Sequence, residues 1–127
     1  MSAYSSNSGN AYRQSAVLTA TPEQLVVMLY DGARRFLYQA SVAMQTGDVE
    51  TCHLKLRRAE SIISHLRNTL DMEQGEISAR LQSIYLFCNR HLGQARIERD
   101  PKKIEEVSNL LGELREAWAT SATAAAA

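Results

Sequence analysis

Between Val49 and Met72 the apolar residues fall at Cys52, Leu56, Ala59, Ile63, Leu66 and Leu70, alternately four and three apart. That spacing draws a single apolar stripe down an α-helix and is incompatible with the two-residue period of a strand. The opposite face carries Arg58, Ser61, His65 and Asn68, as expected of a side turned to water. The same rule recurs in three other stretches. The first spans Pro22 to Gln45, through Ala33, Phe36, Leu37, Ala40 and Met44. The next spans Glu76 to Arg99 on Ile77, Leu81, Ile84, Cys88, Leu92 and Ala95. The last begins at Asp100-Pro101 and carries Ile104, Val107, Leu110, Leu111, Leu114, Ala117 and Trp118. Gly47-Asp48, Gly75 and Asp100-Pro101 are stop-and-start signals between them. Three of these helices would be about 36 Å long at about 1.5 Å per residue. Connections of roughly two to five residues force antiparallel neighbours. A period nearer 3.5 than 3.6 favours shallow left-handed crossings. The expected fold is all-α, an antiparallel up-down-up-down four-helix bundle.

The first helix opens on a complete start signal. Thr21 can cap, Pro22 suits the first helical position, and Gln24 can close a capping box. Leu25 to Tyr30 then runs apolar without a break. At about 100° per residue six such residues encircle the helix, whereas a surface helix is apolar on one stripe only. A second belt, Ile84-Tyr85-Leu86-Phe87-Cys88, lies in the third helix. Leu25, Leu29, Ile84 and Cys88 continue the seams and belong to the core. Val26, Val27, Tyr30, Leu86 and Phe87 are in excess of what a bundle of this size hides, and an apolar patch of that kind marks an interaction site. The natural occupant is a partner's amphipathic helix laid in a groove. Met1 to Asn10 has little to bury, but Tyr12, Ala16, Val17 and Leu18 form an apolar segment too short to hold a helix alone. That segment can cover the groove in the free protein. The expected organisation is a flexible segment over residues 1–20, a bundle over 21–119 and a frayed tail over 120–127. Gly32, mid-helix, costs about 1 kcal/mol relative to alanine and suggests close approach of another backbone, internal or a partner's.

Composition removes several function classes. With 127 residues the chain is one domain, and 14 basic residues balance 14 acidic ones, so no global field draws it to nucleic acid or anionic membrane. The N-terminus has no charged start followed by an apolar run, and no stretch is apolar enough to span a bilayer, which suits a cytosolic protein. Cys52 and Cys88 lack any paired spacing and fall on the seams, as small buried hydrophobes do. His53, His65 and His91 form no Glu-x-x-His, His-x-x-x-His or HExxH pattern, so metal ligands are not expected. The six glycines are scattered and make no phosphate loop. Glu105 and Glu106 beside Lys102 and Lys103 open the fourth helix, where acid complements the helix dipole. No catalytic residue, cofactor or metal is expected. What is left is surface, and a generic helical adaptor or a self-assembling bundle is one reading of it.

A more particular reading comes from a resemblance. The runs Ala11-Tyr12-Arg13-Gln14, Ser15 through Leu25, and Leu29-Tyr30-Asp31-Gly32-Ala33 resemble the N-terminal signature of the flagellar secretion chaperone FliS family. The likeness continues through Leu70-Asp71, Gly75-Glu76-Ile77, Tyr85, Arg90 with Leu92, and Ile104-Glu105-Glu106-Val107, and ends at Leu114-Arg115-Glu116-Ala117-Trp118. His91-Leu92-Gly93-Gln94-Ala95-Arg96 departs from the family's usual Arg-Leu-x-x-Ala-Asn, and the alanine tail lies outside the pattern. The resemblance implies an antiparallel helical bundle that binds the C-terminal region of flagellin in the cytosol, prevents premature polymerisation and assists delivery to the flagellar export gate. It further implies that the N-terminal segment occupies part of the binding surface until flagellin displaces it. The expected partner-binding residues are Tyr12, Val17, Leu18, Val26, Val27, Tyr30, Leu86 and Phe87, with the protein a monomer or weak homodimer.

Overall fold

In a computed structural model of the chain, described at residue 15 and over residues 18–126 with side chains to residue 120, four helices follow one another. They are α1 (Pro22–Gln45), α2 (Val49–Asn68), α3 (Glu76–Glu98) and α4 (Pro101–Ala126), with a 3-10 turn, Met72–Gln74, between α2 and α3. No strand occurs among the described residues. Consecutive helices pack on one another, and α4 returns to close the ring on α1. The bundle is therefore the expected up-down-up-down arrangement. α1 is its most heavily contacted member, held between α2 and α4.

Local chemistry sets the boundaries. The Thr21 hydroxyl accepts the Gln24 N–H at 3.2 Å, and the Gln24 amide oxygen accepts the Thr21 N–H at 2.9 Å, which is the capping box the sequence announced. Gly47, at φ 78°, takes the left-handed turn after α1, and Asp48 caps α2 by accepting the Thr51 N–H at 3.1 Å. α2 does not reach Met72 as expected; it stops at Asn68. Thr69 turns its hydroxyl onto the His65 and Leu66 carbonyls at 3.0 and 3.2 Å, competing with continuation of the helix. Asp71 then starts a new turn, accepting the Glu73 N–H at 3.0 Å, while its carbonyl receives the Ser78 hydroxyl at 2.6 Å. At the other end of the chain, the alanine-rich tail expected to fray continues α4 to Ala126, in keeping with alanine's helix preference.

The core is built from the seams. Leu37, Leu56, Ile63, Leu92, Ile104, Val107 and Leu111 are fully enclosed, and Ala33, Ala40, Ala59 and Ala95 leave room for the helices to approach. Cys52 and Cys88 are buried and unbridged, and burial pushes the Cys88 thiol up to about 11. Polar clips tie the periphery. Arg115 of α4 grips Asp31 of α1 at 2.9 Å, Arg96 of α3 meets Glu60 of α2 at 2.8 Å, and His91 of α3 meets Glu106 of α4 at 2.7 Å.

Gly32 departs from expectation. A Cβ there would meet the Ile62 Cδ1 at 3.5 Å and the Arg35 Nη1 at 4.0 Å, ordinary contacts with side chains and not with a neighbouring backbone. Gly32→Ala is expected to stabilise the protein by about 0.5–1 kcal/mol, through helix propensity alone. A melting curve checks it: a higher midpoint is expected, and a lower one would mean that the Ile62 side chain cannot accommodate the added methyl.

Candidate functional site

The early end of α2 leaves the first turns of α3 without α2 beside them, and a cavity of about 460 Å³ opens there. Val26 of α1, Leu66 and Leu70 beside the turn, Ile77, Leu81 and Tyr85 of α3, and Trp118 of α4 form its apolar lining. Glu23, Asp71 and Gln74 stand on its rim. Ile77 is 70% exposed, a large aliphatic side chain left in water beside an open apolar wall. A second hollow of about 410 Å³ runs between α1 and α4, with Tyr38 and Val42 exposed on one side and Ile104 and Ser108 on the other. Among the described residues no group of three or more His, Cys, Asp or Glu could hold a metal ion, and no helix is long and apolar enough to cross a membrane.

The expected site residues do not form one surface. Val26 lines the first cavity. Val27 is half-buried and lines neither hollow. Leu86 and Phe87 are 39% and 45% exposed on the outer side of α3, with Phe87 stacked on His91 at 4.9 Å between ring centroids. Leu18 stands 85% exposed. Tyr12 and Val17 lie outside the described residues.

Tyr30 corrects the sequence reading outright. It is fully buried, and its hydroxyl shares a short hydrogen bond with that of Tyr85. The bond joins α1 to α3 across the bundle's diagonal, so the ring that periodicity counted as surplus fills the centre. Burial, and next the bond to Tyr85, raise the Tyr30 phenol well above its ordinary value; burial raises Tyr85 as well. The rest of the first belt, Leu25 to Leu29, is half-buried, neither open nor sealed.

Sequence reasoning missed Leu70, Ile77, Leu81 and Trp118 as surface because each sat on a seam. The signal that could have found them is Thr69 followed by Asp71, a stop and a fresh cap inside what periodicity reads as one helix.

A helical bundle with open apolar hollows has room for the apolar face of a partner, as a binding protein of the chaperone or adaptor class needs. The comparisons make that specific: the family described as "Flagellar protein FliS" matches residues 5–125, and the chain belongs to it. It is similar to the flagellar secretion chaperone FliS of Salmonella typhimurium, 40% identical over 91% of this chain and 90% of that one. It also resembles the Bacillus subtilis chaperone of the same name, 37% identical over 88% and 84% of the two chains. The Escherichia coli one is 36% identical over 93% and 91%. Chaperone is a non-enzymatic role, and the chain is not read as an enzyme.

Proposed function

We propose that this protein is a cytosolic export chaperone that binds the C-terminal region of flagellin in its apolar hollows, prevents premature polymerisation and assists delivery to the flagellar export gate. The observation that carries the reading is the cavity over Val26, Leu70, Ile77, Leu81 and Trp118, an apolar hollow at the end of the bundle where α1 begins. A disordered partner segment would become helical there, and the ordering entropy would be offset by burial of its apolar face. The hollow between α1 and α4 offers a second place for the same chain to lie. Residues 1–20 are the displaceable cover, with Tyr12 and Val17 as its anchors.

Calorimetry with a synthetic flagellin C-terminal peptide tests this. Binding with a negative heat-capacity change is expected, since apolar surface leaves water. Affinity should vary little with salt, because the chain has no net charge to steer with. Absence of binding, or a steep loss between low and moderate salt, overturns the reading. Deleting residues 1–18 is expected to tighten peptide binding or provoke self-association in size-exclusion chromatography. Unchanged affinity with a monodisperse product would remove the cover from the mechanism.

A further inference from the structure

A third side of the bundle is the face along which α1 and α2 meet. The two helices are antiparallel there, and their side chains pair level by level. Gly32 of α1 stands opposite Ile62 of α2, whose Cδ1 lies 3.5 Å from where a Gly32 Cβ would be. One turn further along α1, the half-buried Phe36 ring meets α2 again, with the Lys55 Nζ 5.6 Å and the Arg58 Cζ 5.8 Å from its centroid. The exposed Arg35 turns back along α1, its Nη1 4.0 Å from the same Gly32 Cβ position. Three cations thus border a strip of Gly32, Ile62 and Phe36 about two turns long. None of these residues lines either hollow.

The three cations have no acid. Among the described residues, neither Arg35, Lys55 nor Arg58 forms an ion pair. The acids closest to them in the middle of each helix are engaged on other sides: Asp31 is held by Arg115 of α4, and Glu60 by Arg96 of α3. Lys55 and Arg58 are moreover three residues apart on one helix, a spacing at which like charges destabilise it. Their contact with the Phe36 ring returns part of that cost. Gly32 adds a second, independent one, since a mid-helix glycine gives up helix stability and no neighbouring backbone comes near enough to need it. Both costs fall on one face, and a single event answers both: an acidic chain laid closely over the strip.

We propose that this face docks an acidic amphipathic helix of a partner protein, its carboxylates on Arg35, Lys55 and Arg58 and its small or apolar residues against Gly32, Ile62 and Phe36. Charge complementarity selects the acid, and carboxylates three and four residues apart along a helix fall on one side, as the row of cations requires. The occupant is another chain, because residues 1–20 and 117–127 contain no Asp or Glu with which this chain's own ends would fill the face. Nucleic acid fits less well. Two cations already sit over the Phe36 ring, so it is not free for a base to stack on, and three cations neutralise few phosphates. The inference stands apart from the flagellin reading: both hollows stay open when this face is filled, and its test uses no flagellin.

The test is titration of the isotope-labelled full chain with a peptide of four Ala-Leu-Glu-Ala repeats, blocked at both ends, followed by amide chemical shifts. Saturable shifts centred on Gly32, Arg35, Phe36, Lys55, Arg58 and Ile62 are expected, with affinity falling about tenfold or more from low to moderate salt. The same peptide with lysine in place of glutamate should bind weaker by about tenfold or more. Lys55→Glu combined with Arg58→Glu should reverse that preference. Gly32→Ala should bind the glutamate peptide about fivefold more weakly while its melting temperature rises, an opposite pair of signs that a purely structural glycine would not give. Equal binding of the two peptides, shifts centred on either hollow, no saturation at millimolar peptide, an unchanged preference in the double variant, or a Gly32→Ala protein that binds as the parent does would each overturn the proposal. Oligothymidylate binding at these residues as tightly as the glutamate peptide would overturn it in favour of nucleic acid, and salt-sensitive self-association of the parent in size-exclusion chromatography in favour of a second copy of this chain.

Discussion

Tyr30→Ala is expected to cost about 3–5 kcal/mol of folding stability, a large aromatic removed from a closed site, and the loss should appear in urea unfolding followed by circular dichroism. The ring is fully enclosed, so its removal leaves a cavity that its neighbours can only partly fill. It also strands the Tyr85 hydroxyl, whose partner is Tyr30. Tyr30→Phe separates the two effects. It keeps the ring and removes only the bond, and should cost about 1–2 kcal/mol. A Tyr30→Ala protein that melts like the parent yet loses flagellin peptide would return Tyr30 to the docking surface, where the sequence alone had put it.

The same pair sets an alkaline limit. Both phenols have folded-state pKa values above the ordinary value of about 10. Below pH 10 they are neutral in folded and unfolded chains alike, and their contribution is fully present. As pH rises past 10 the unfolded chain loses these protons while the fold retains them, so stability falls by about 1.4 kcal/mol per pH unit for each phenol. Cys88, pushed up to about 11 by burial, adds to the decline from a lower starting pH, since a free thiol ionises near 9.0. Unfolding free energies measured at rising pH should decline less steeply in Tyr30→Phe, which has one fewer group to ionise.

Periodicity and capping carried the fold. The start of α1 at Pro22, its end at Gln45 and the start of α4 at Pro101 follow from Thr21, Gly47 and Asp100, whose local chemistry does not depend on distant contacts. α2 was misjudged at its end: Leu66 and Leu70 keep the four-residue spacing, yet the helix stops at Asn68 and Asp71 caps a separate turn before α3. The site was legible only in kind. An apolar count predicts surplus, but which members are surplus depends on helix rotation and on what lies across the diagonal. Tyr30 and Phe87 look alike in their belts; Tyr85 faces the first, and water faces much of the second. The resemblance to the FliS family named the class of partner, which no spacing of residues could.

Ile77→Lys is the substitution that most directly separates docking from folding. Ile77 already stands in water, so a lysine there should leave the urea midpoint within about 0.5 kcal/mol of the parent, as surface changes do. In the complex proposed above, the partner's apolar face would close over the Val26–Trp118 hollow and take that ammonium out of water with no acid committed to it. Burying an unpaired charge costs several kcal/mol after relaxation, which corresponds to a loss of about a hundredfold or more in affinity for the flagellin peptide. Lysine's long stem could bend its charge to the rim, where Asp71 and Glu23 stand, and soften the loss. Ile77→Asp has no such reach and faces those same two acids, so it should be at least as damaging. The matched control is Leu86→Lys on the outer side of α3: equal loss at both positions would mean that the partner covers α3 broadly, and loss at Leu86 alone would move the docking surface off the hollow to the second belt. Calorimetry on the three variants, each first shown to melt as the parent does, decides between these surfaces.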